Sequence, residues 1–355
     1  ACIAGIIARL KVSPFLFFVT SIDLLVQAKT ELEKFLRIDG KPFTVGQIGG
    51  GVIDIRDINV VTVQTAVRAL GHQWNAKTKF DSDDEDDKTP IAARAGDIKK
   101  LLHTAKGCVS DETHHWRANT CQLIARELYE CYYAFGTSAT PYRDEGDDLM
   151  IQACFGKKIS EITASELIKK NWLIKPNIKF IHIKQPKSEY RQWQSIYKDQ
   201  VVENEYYNGV IANIANAYIK EGRLILILVQ QINHGKILEA LIPGSKFLSG
   251  SSPKQKRIKT LNELRQRDIS CIASTAIFDE GIDVRPLDTL ILGGQGRSKV
   301  RAMQRIGRIL RPCEGKTVAT AIDFCLHQKY LKDHAKARMK MYRTEPEFDI
   351  EEVNK

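Results

Sequence analysis

Gly107-Cys-Val-Ser-Asp-Glu-Thr-His-His115 decides how this chain folds. Residues 107–110 read as a short buried strand, and the acid pair Asp111–Glu112 follows with no intervening turn. Open α/β sheets hold their ligands at such strand carboxyl ends. The same junction recurs on either side. Phe15-Leu-Phe-Phe-Val19 runs into Thr20 and Ser21, Asn59-Val-Val-Thr-Val63 into Gln64 and Thr65, and Tyr132–Gly136 into Thr137 and Ser138. Helical periodicity fills the gaps, as over Ile22–Leu36 with apolar positions at 24, 25, 28, 32, 35 and 36. Strands alternating with helices predict an α/β fold with parallel sheets flanked by helices.

A second series follows the same rhythm. Strands are predicted at Lys179–Ile183, Arg223–Val229, Ser270–Ala273, Thr289–Leu292 and Val318–Asp323, with a loop at Gly293–Gly296. Ser188–Glu221 is predicted largely helical, and the charged end after Lys329 is predicted as a helix fraying into an acidic tail. With 355 residues, two domains are expected, 1–172 and 173–355.

Composition narrows the function. A hydrophobic fraction of 43% suits ordinary globular cores, and no apolar run approaches the roughly 20 residues of a bilayer span, so no membrane role is expected. Ala1–Leu10 lacks a basic lead-in and a cleavage site, and reads as a buried helix rather than a signal sequence. The eight cysteines form no C-x-x-C pair and show no spacing with histidine that suggests zinc, which points to reduced thiols in a cytosol. Residues 1–172 carry 22 basic and 23 acidic side chains, whereas 173–355 carry 31 and 20. A basic half of that size favours a polyanionic partner. Asp81–Asp87, with six acids in seven residues, reads as a solvated loop tip.

Three segments carry the chemistry. Hydrolysis of a phosphoanhydride needs a metal to neutralise charge and a base to orient water. Asp111 is the candidate metal carboxylate, Glu112 the base, and His114 a coupling residue bonded towards the Ser138–Thr140 segment. Ser138 and Thr140 offer short hydroxyls at a strand-to-loop junction. In Gln304-Arg-Ile-Gly-Arg-Ile-Leu-Arg311, the arginines at 305, 308 and 311 are spaced to share one helical face. Guanidinium groups so crowded require an anion, such as a γ-phosphate. Gly281 would allow close backbone approach, and Asp283 would accept from a ribose hydroxyl or brace an arginine. Thr20, Ser21, Gly49, Gly50, Gln64, Thr65, Ser249, Gly250 and Arg257 are candidates to grip a nucleic-acid backbone without reading bases. Gly315-Lys316-Thr317 imitates the end of a phosphate loop, but Leu310 stands where that loop needs glycine, so a turn is expected.

Taken in order, Asp-Glu-Thr-His-His (111–115), Thr-Ser-Ala-Thr (137–140), Phe278–Asp283, Gln304–Arg311 and the ending Asp323–Tyr330 resemble superfamily 2 DExH-type helicases. The likeness is greatest to the bacteriophage UvsW-like and XPB-related group. The resemblance implies two RecA-like domains with ATP and Mg²⁺ between them and nucleic acid across both, DNA being favoured over RNA. It further implies that Asp111 serves the metal, Glu112 the water, and Arg308 and Arg311 the γ-phosphate. Gln304, Arg305, Gly281 and Asp283 would serve the nucleotide and interdomain contact. The function so implied is an ATP-dependent DNA helicase or translocase acting on duplex or branched DNA in replication, recombination or repair, in a bacterial or phage-infected cytosol. An RNA helicase, a restriction-complex motor subunit and a non-hydrolysing nucleic-acid-binding remnant are the alternatives. One family element, the glycine loop with its lysine, is absent. The chain is therefore expected to begin just after it and to be impaired in hydrolysis as it stands.

Overall fold

Burial on both faces turns short apolar runs into strands, and Phe15–Val19 (β1) shows how. Phe15, Phe17 and Val19 enter one core layer while Leu16 and Phe18 enter the other, following the two-residue alternation of a strand. The computed structural model describes residues 2–38, 41–72, 88–138, 148–275, 284–294, 296 and 299–354. These form two compact units, Ala1–Ile159 and Ser160–Lys355.

In the first unit, β2 (Arg37–Ile38) and β3 (Lys41–Pro42) make a small separate ladder. The main sheet adds β4 (Gly46–Gly49), β5 (Val52–Asp54), β6 (Ile58–Thr62), β7 (Gly107–Ser110) and β8 (Tyr133–Gly136) to β1, in the order β5-β4-β6-β1-β7-β8. Only β5 runs antiparallel, closing a hairpin onto β4. Phe18 lies beside Ser110 and Val19 beside Thr62, so β1, β6 and β7 end together at one edge. Helix Cys2–Leu10 is buried on one side only, through Ala4 and Ile7.

The second unit is a wholly parallel sheet. Its strands are β9 (Pro176–Ile183), β10 (Ile225–Leu228), β11 (Lys246–Leu248), β12 (Cys271–Ser274), β13 (Thr289–Ile291), β14 (Ala319–Leu326) and β15 (Asp349–Asn354), ordered β11-β12-β10-β13-β14-β9-β15. Three expectations change here. The acidic tail does not fray: Asp349–Asn354 pairs along β9, where Glu352 meets Arg343 at 2.7 Å and His182 at 2.9 Å. The Arg343 guanidinium offsets charge in an end that looks self-repelling in isolation, and His182 adds a hydrogen bond. The boundary falls at 159/160 rather than 172/173, because helix Ala164–Lys169 packs Ile168 into the second core and Ser165 donates its N–H and O–H to Glu345. The stretch 188–221 is broken into helix Trp193–Tyr197, a wide turn Lys198–Val202, and helix Glu205–Lys220. Asn204 caps the last of these, its side chain accepting from the Tyr207 N–H at 2.8 Å. Among the described residues no helix is long and apolar enough to cross a membrane.

Candidate nucleotide and nucleic-acid site

The Asp111–Glu112 pair sits where β7 stops, held by its neighbours on both sides. The Asp111 N–H donates to Phe18 O of β1 at 3.3 Å, and the Asp111 carboxylate accepts from the Glu112 N–H at 3.0 Å and the Thr137 hydroxyl at 2.9 Å. Thr113 straps the segment to the end of β8, its N–H and hydroxyl both donating to Thr137 O. Beneath, buried Trp116 donates to the Ser110 hydroxyl and packs edge-on against Phe18 and Phe155.

Glu112 occupies the left-handed region at φ 48°, ψ 52°, which costs a non-glycine residue roughly 1–2 kcal/mol. That turn brings its carboxylate to 3.3 Å from His114 Nδ1, and the same ring nitrogen lies 3.3 Å from the Ser138 hydroxyl. One imidazole thus bridges the acid at the end of β7 and the hydroxyl segment after β8. Burial, and then the charge of Glu112, raise the Asp111 pKa above the usual carboxylate value, against the Thr137 and Glu112 N–H bonds. Two crowded carboxylates of this kind suit a hard divalent cation, which would relieve their repulsion through oxygen ligands. The donor set fits Mg²⁺. Thr140 lies outside the described residues, as do Gly281 and Asp283.

The nucleic-acid candidates divide. Thr20, Gln64 and Thr65 are buried and do not present exposed donors: the Gln64 amide donates to Thr20 O, and the Thr65 N–H donates to Thr62, the cap of helix Val63–Ala69. The Gln64 bond ties the first turn of that helix to the end of β1, and the Thr65 bond stays within the helix cap. Ser21 caps helix Ile22–Phe35 through the Leu24 N–H. Gly49 and Gly50 form the β4–β5 turn with φ of 139° and 63°, and a side chain at 49 would strike Thr62. In the second unit, buried Ser249 bonds Ser251 and Ser252 in the turn after β11. Gly250 is exposed beside it, and Arg257 lies on the following helix Lys254–Gln266.

Gln304, Arg305 and Arg308 lie on helix Lys299–Ile309, each half-buried. The helix ends at Ile309, so Arg311 stands two residues beyond it on exposed chain. Its carbonyl accepts from Lys316 at 3.0 Å, within the turn expected for Gly315–Thr317. The loop leading into the helix is pinned at three carbonyls: Gly293 by the Tyr207 hydroxyl (2.9 Å), Gly294 by Tyr197 (2.8 Å) and Gly296 by Arg338 (2.7 Å). Arg338 is buried and forks onto Asp323 with two bonds of 2.8 Å, while Tyr342 donates to the same carboxylate at 2.7 Å. Burial alone would lower the Arg338 pKa; the Asp323 charge overcomes this and holds it above the ordinary value. Sequence reasoning missed this network, because an Asp and an Arg 15 positions apart carry no local signal.

Two sheets, parallel except for β5 and flanked by helices, define the RecA-like α/β fold. Residues 1–143 match the family of the res subunit of type III restriction enzymes, and 209–313 match the helicase conserved C-terminal domain. Both matches are to helicase-type models, and the chain is similar to superfamily 2 helicases. It is 25% identical over 267 residues to the ATP-dependent DNA helicase uvsW of Enterobacteria phage T4, covering 67% of this chain and 52% of that one. It is likewise 25% identical over 352 residues to the DNA 3'-5' translocase XPB2 of Sulfurisphaera tokodaii, covering 86% and 71%. Among solved structures, the ATP-dependent type ISP restriction-modification enzyme LlaBIII bound to DNA shares the fold, with TM-score 0.63, 14% identity, and coverage of 99% of this chain and 28% of that one. The chain spans about half the length of several curated relatives it matches.

Proposed function

We propose that this chain is the motor core of an ATP-dependent DNA helicase or translocase that remodels duplex or branched DNA in replication, recombination or repair. The observation that carries the reading is the His114 bridge, which links the carboxylate of Glu112 to the hydroxyl of Ser138 across two neighbouring strand ends. When bound, Mg²⁺ neutralises phosphate charge, and Asp111 is the residue to hold it. Glu112 accepts the proton of the attacking water, its carboxylate oriented by the imidazole of His114. His114 and Ser138, with Thr140, relay the state of that carboxylate to the segment after β8. Gln304, Arg305, Arg308 and Arg311 supply hydrogen bonds and positive charge to the phosphates, and Gly281 and Asp283 serve nucleotide and interdomain contact. Ser21, Gly49, Gly50, Ser249, Gly250 and Arg257 remain the candidates for the DNA backbone. DNA is favoured because the phage and archaeal relatives are named as DNA enzymes.

The test is ATP hydrolysis by the protein expressed from its complete reading frame, with DNA, with RNA and with neither. DNA should stimulate turnover, and Glu112→Gln should reduce it by about 10²–10⁴ while nucleotide binding persists. Turnover that survives Glu112→Gln would remove Glu112 as the base. Preferential stimulation by RNA would make the protein an RNA helicase, and absence of hydrolysis under every condition would make it a non-hydrolysing binder. A neighbouring methylase and nuclease gene would instead favour a restriction motor.

A further inference from the structure

The parallel register of the second unit brings together three side chains that are distant in sequence. Cys325 of β14 lies directly beside His182 of β9, so the two project from the same face of the sheet. His327 follows Cys325 by two residues and joins that face. The ligand atoms of His182, Cys325 and His327 all lie within 4.8 Å of one another. They line a cavity of about 550 Å³ together with Lys332, Lys336, Lys340, Arg343 and Glu352.

The geometry points to a binding site for a zinc-class divalent ion, with His182 Nδ1, His327 Nε2 and Cys325 Sγ as ligands and a fourth position open to the cavity. Three observations support it. His182 Nδ1 and His327 Nε2 face each other at 3.4 Å. Two imidazole nitrogens bound tetrahedrally at about 2.0–2.1 Å stand about 3.3–3.4 Å apart, so the spacing is already that of a metal edge. His182 turns its other nitrogen, Nε2, onto the Glu352 carboxylate at 2.9 Å. That bond fixes the tautomer with the Nδ1 lone pair aimed at the cluster, the carboxylate–histidine arrangement typical of metal ligands. One thiolate with two imidazoles is a donor set for zinc and its softer neighbours, unlike the oxygen-only pair at Asp111 and Glu112. The ion would clamp β14 to β9 and, through Glu352, hold edge strand β15 against them.

The test is titration of the chelator-treated chain with Co²⁺ alone, read by the sulfur-to-cobalt charge-transfer band, and with Zn²⁺, read by thermal melting. The site predicts one equivalent of Co²⁺ with that band, lost in Cys325→Ser and kept in Cys313→Ser. Glu352→Gln should weaken binding roughly 10–100-fold without removing the band, as a positioning residue does. Saturating Zn²⁺ should raise the melting temperature of the unmodified chain by about 5 °C. Failure of the unmodified chain to take up one equivalent overturns the site, whatever the variants do. A band that persists in Cys325→Ser overturns it as well, leaving His182 and His327 joined by a hydrogen bond only.

Discussion

Replacing Arg338 with methionine isolates the contact that ties the last helix to the loop before the arginine helix. Arg338 makes two 2.8 Å bonds to Asp323, one of 2.7 Å to Gly296 O and one of 3.2 Å to Phe324 O, with both side chains of the ion pair almost wholly buried. Breaking a buried pair by removing one partner costs about 3–5 kcal/mol, because the remaining charge is left uncompensated. Asp323 keeps two donors, the Tyr342 hydroxyl and the Phe324 N–H, each at 2.7 Å. The lower end, about 3 kcal/mol, is therefore expected. For a unit of this size unfolding in urea with a slope of about 2–3 kcal/mol per molar, the midpoint of the second unit's transition should fall by about 1–1.5 M. Adding Asp323→Asn should recover at least about 1 kcal/mol, since the orphaned charge is then gone. Equilibrium urea titration followed by fluorescence measures both. A shift below about 0.3 M for Arg338→Met would show that Asp323 is solvated or compensated in a way the buried geometry denies.

Two further outcomes follow from charge burial. The folded pKa of Asp111 is raised, so its stabilising contribution is present below the unfolded value of about 3.9 and is lost as pH rises through the folded value. Asp111→Asn keeps an oxygen for Thr137 and Glu112 N–H, and should melt a few degrees above the parent at pH 8 while losing ATP turnover; a gap that fails to narrow towards pH 4 would refute the argument. Buried His234, bonded to Asn208 at 2.8 Å, is lowered to about 4 by burial. Its contribution is complete above the unfolded value of about 6.5 and is lost as pH falls towards 4, so the second unit should show an acid limb in that window that His234→Gln flattens, measured by urea midpoints at pH 7, 5.5 and 4.5.

Particular residues show where sequence reasoning reached and where it stopped. Phe15–Val19 and Leu224–Val229 are recognisable because a strand buried on both faces is apolar at every position, a signal that needs no partner to be read. The Asp111–Glu112 turn was recognisable because His114 and the hydroxyl and arginine segments follow it in order. Gln64 was misread because a polar side chain after a strand looks the same whether it faces solvent or donates to Thr20 O. Arg311 was misplaced because its spacing continues the helix, whereas the chain leaves helical geometry after Ile309.

The sequence by itself determined the α/β architecture, the two-unit organisation and the order of the acid, hydroxyl and arginine segments, since each is written in consecutive residues. Tertiary structure alone decided that Asp323 meets Arg338 and that His182 lies beside Cys325 and His327. Strand register sets such meetings, and register is fixed by the packing of whole sheet faces, which no local spacing of residues encodes.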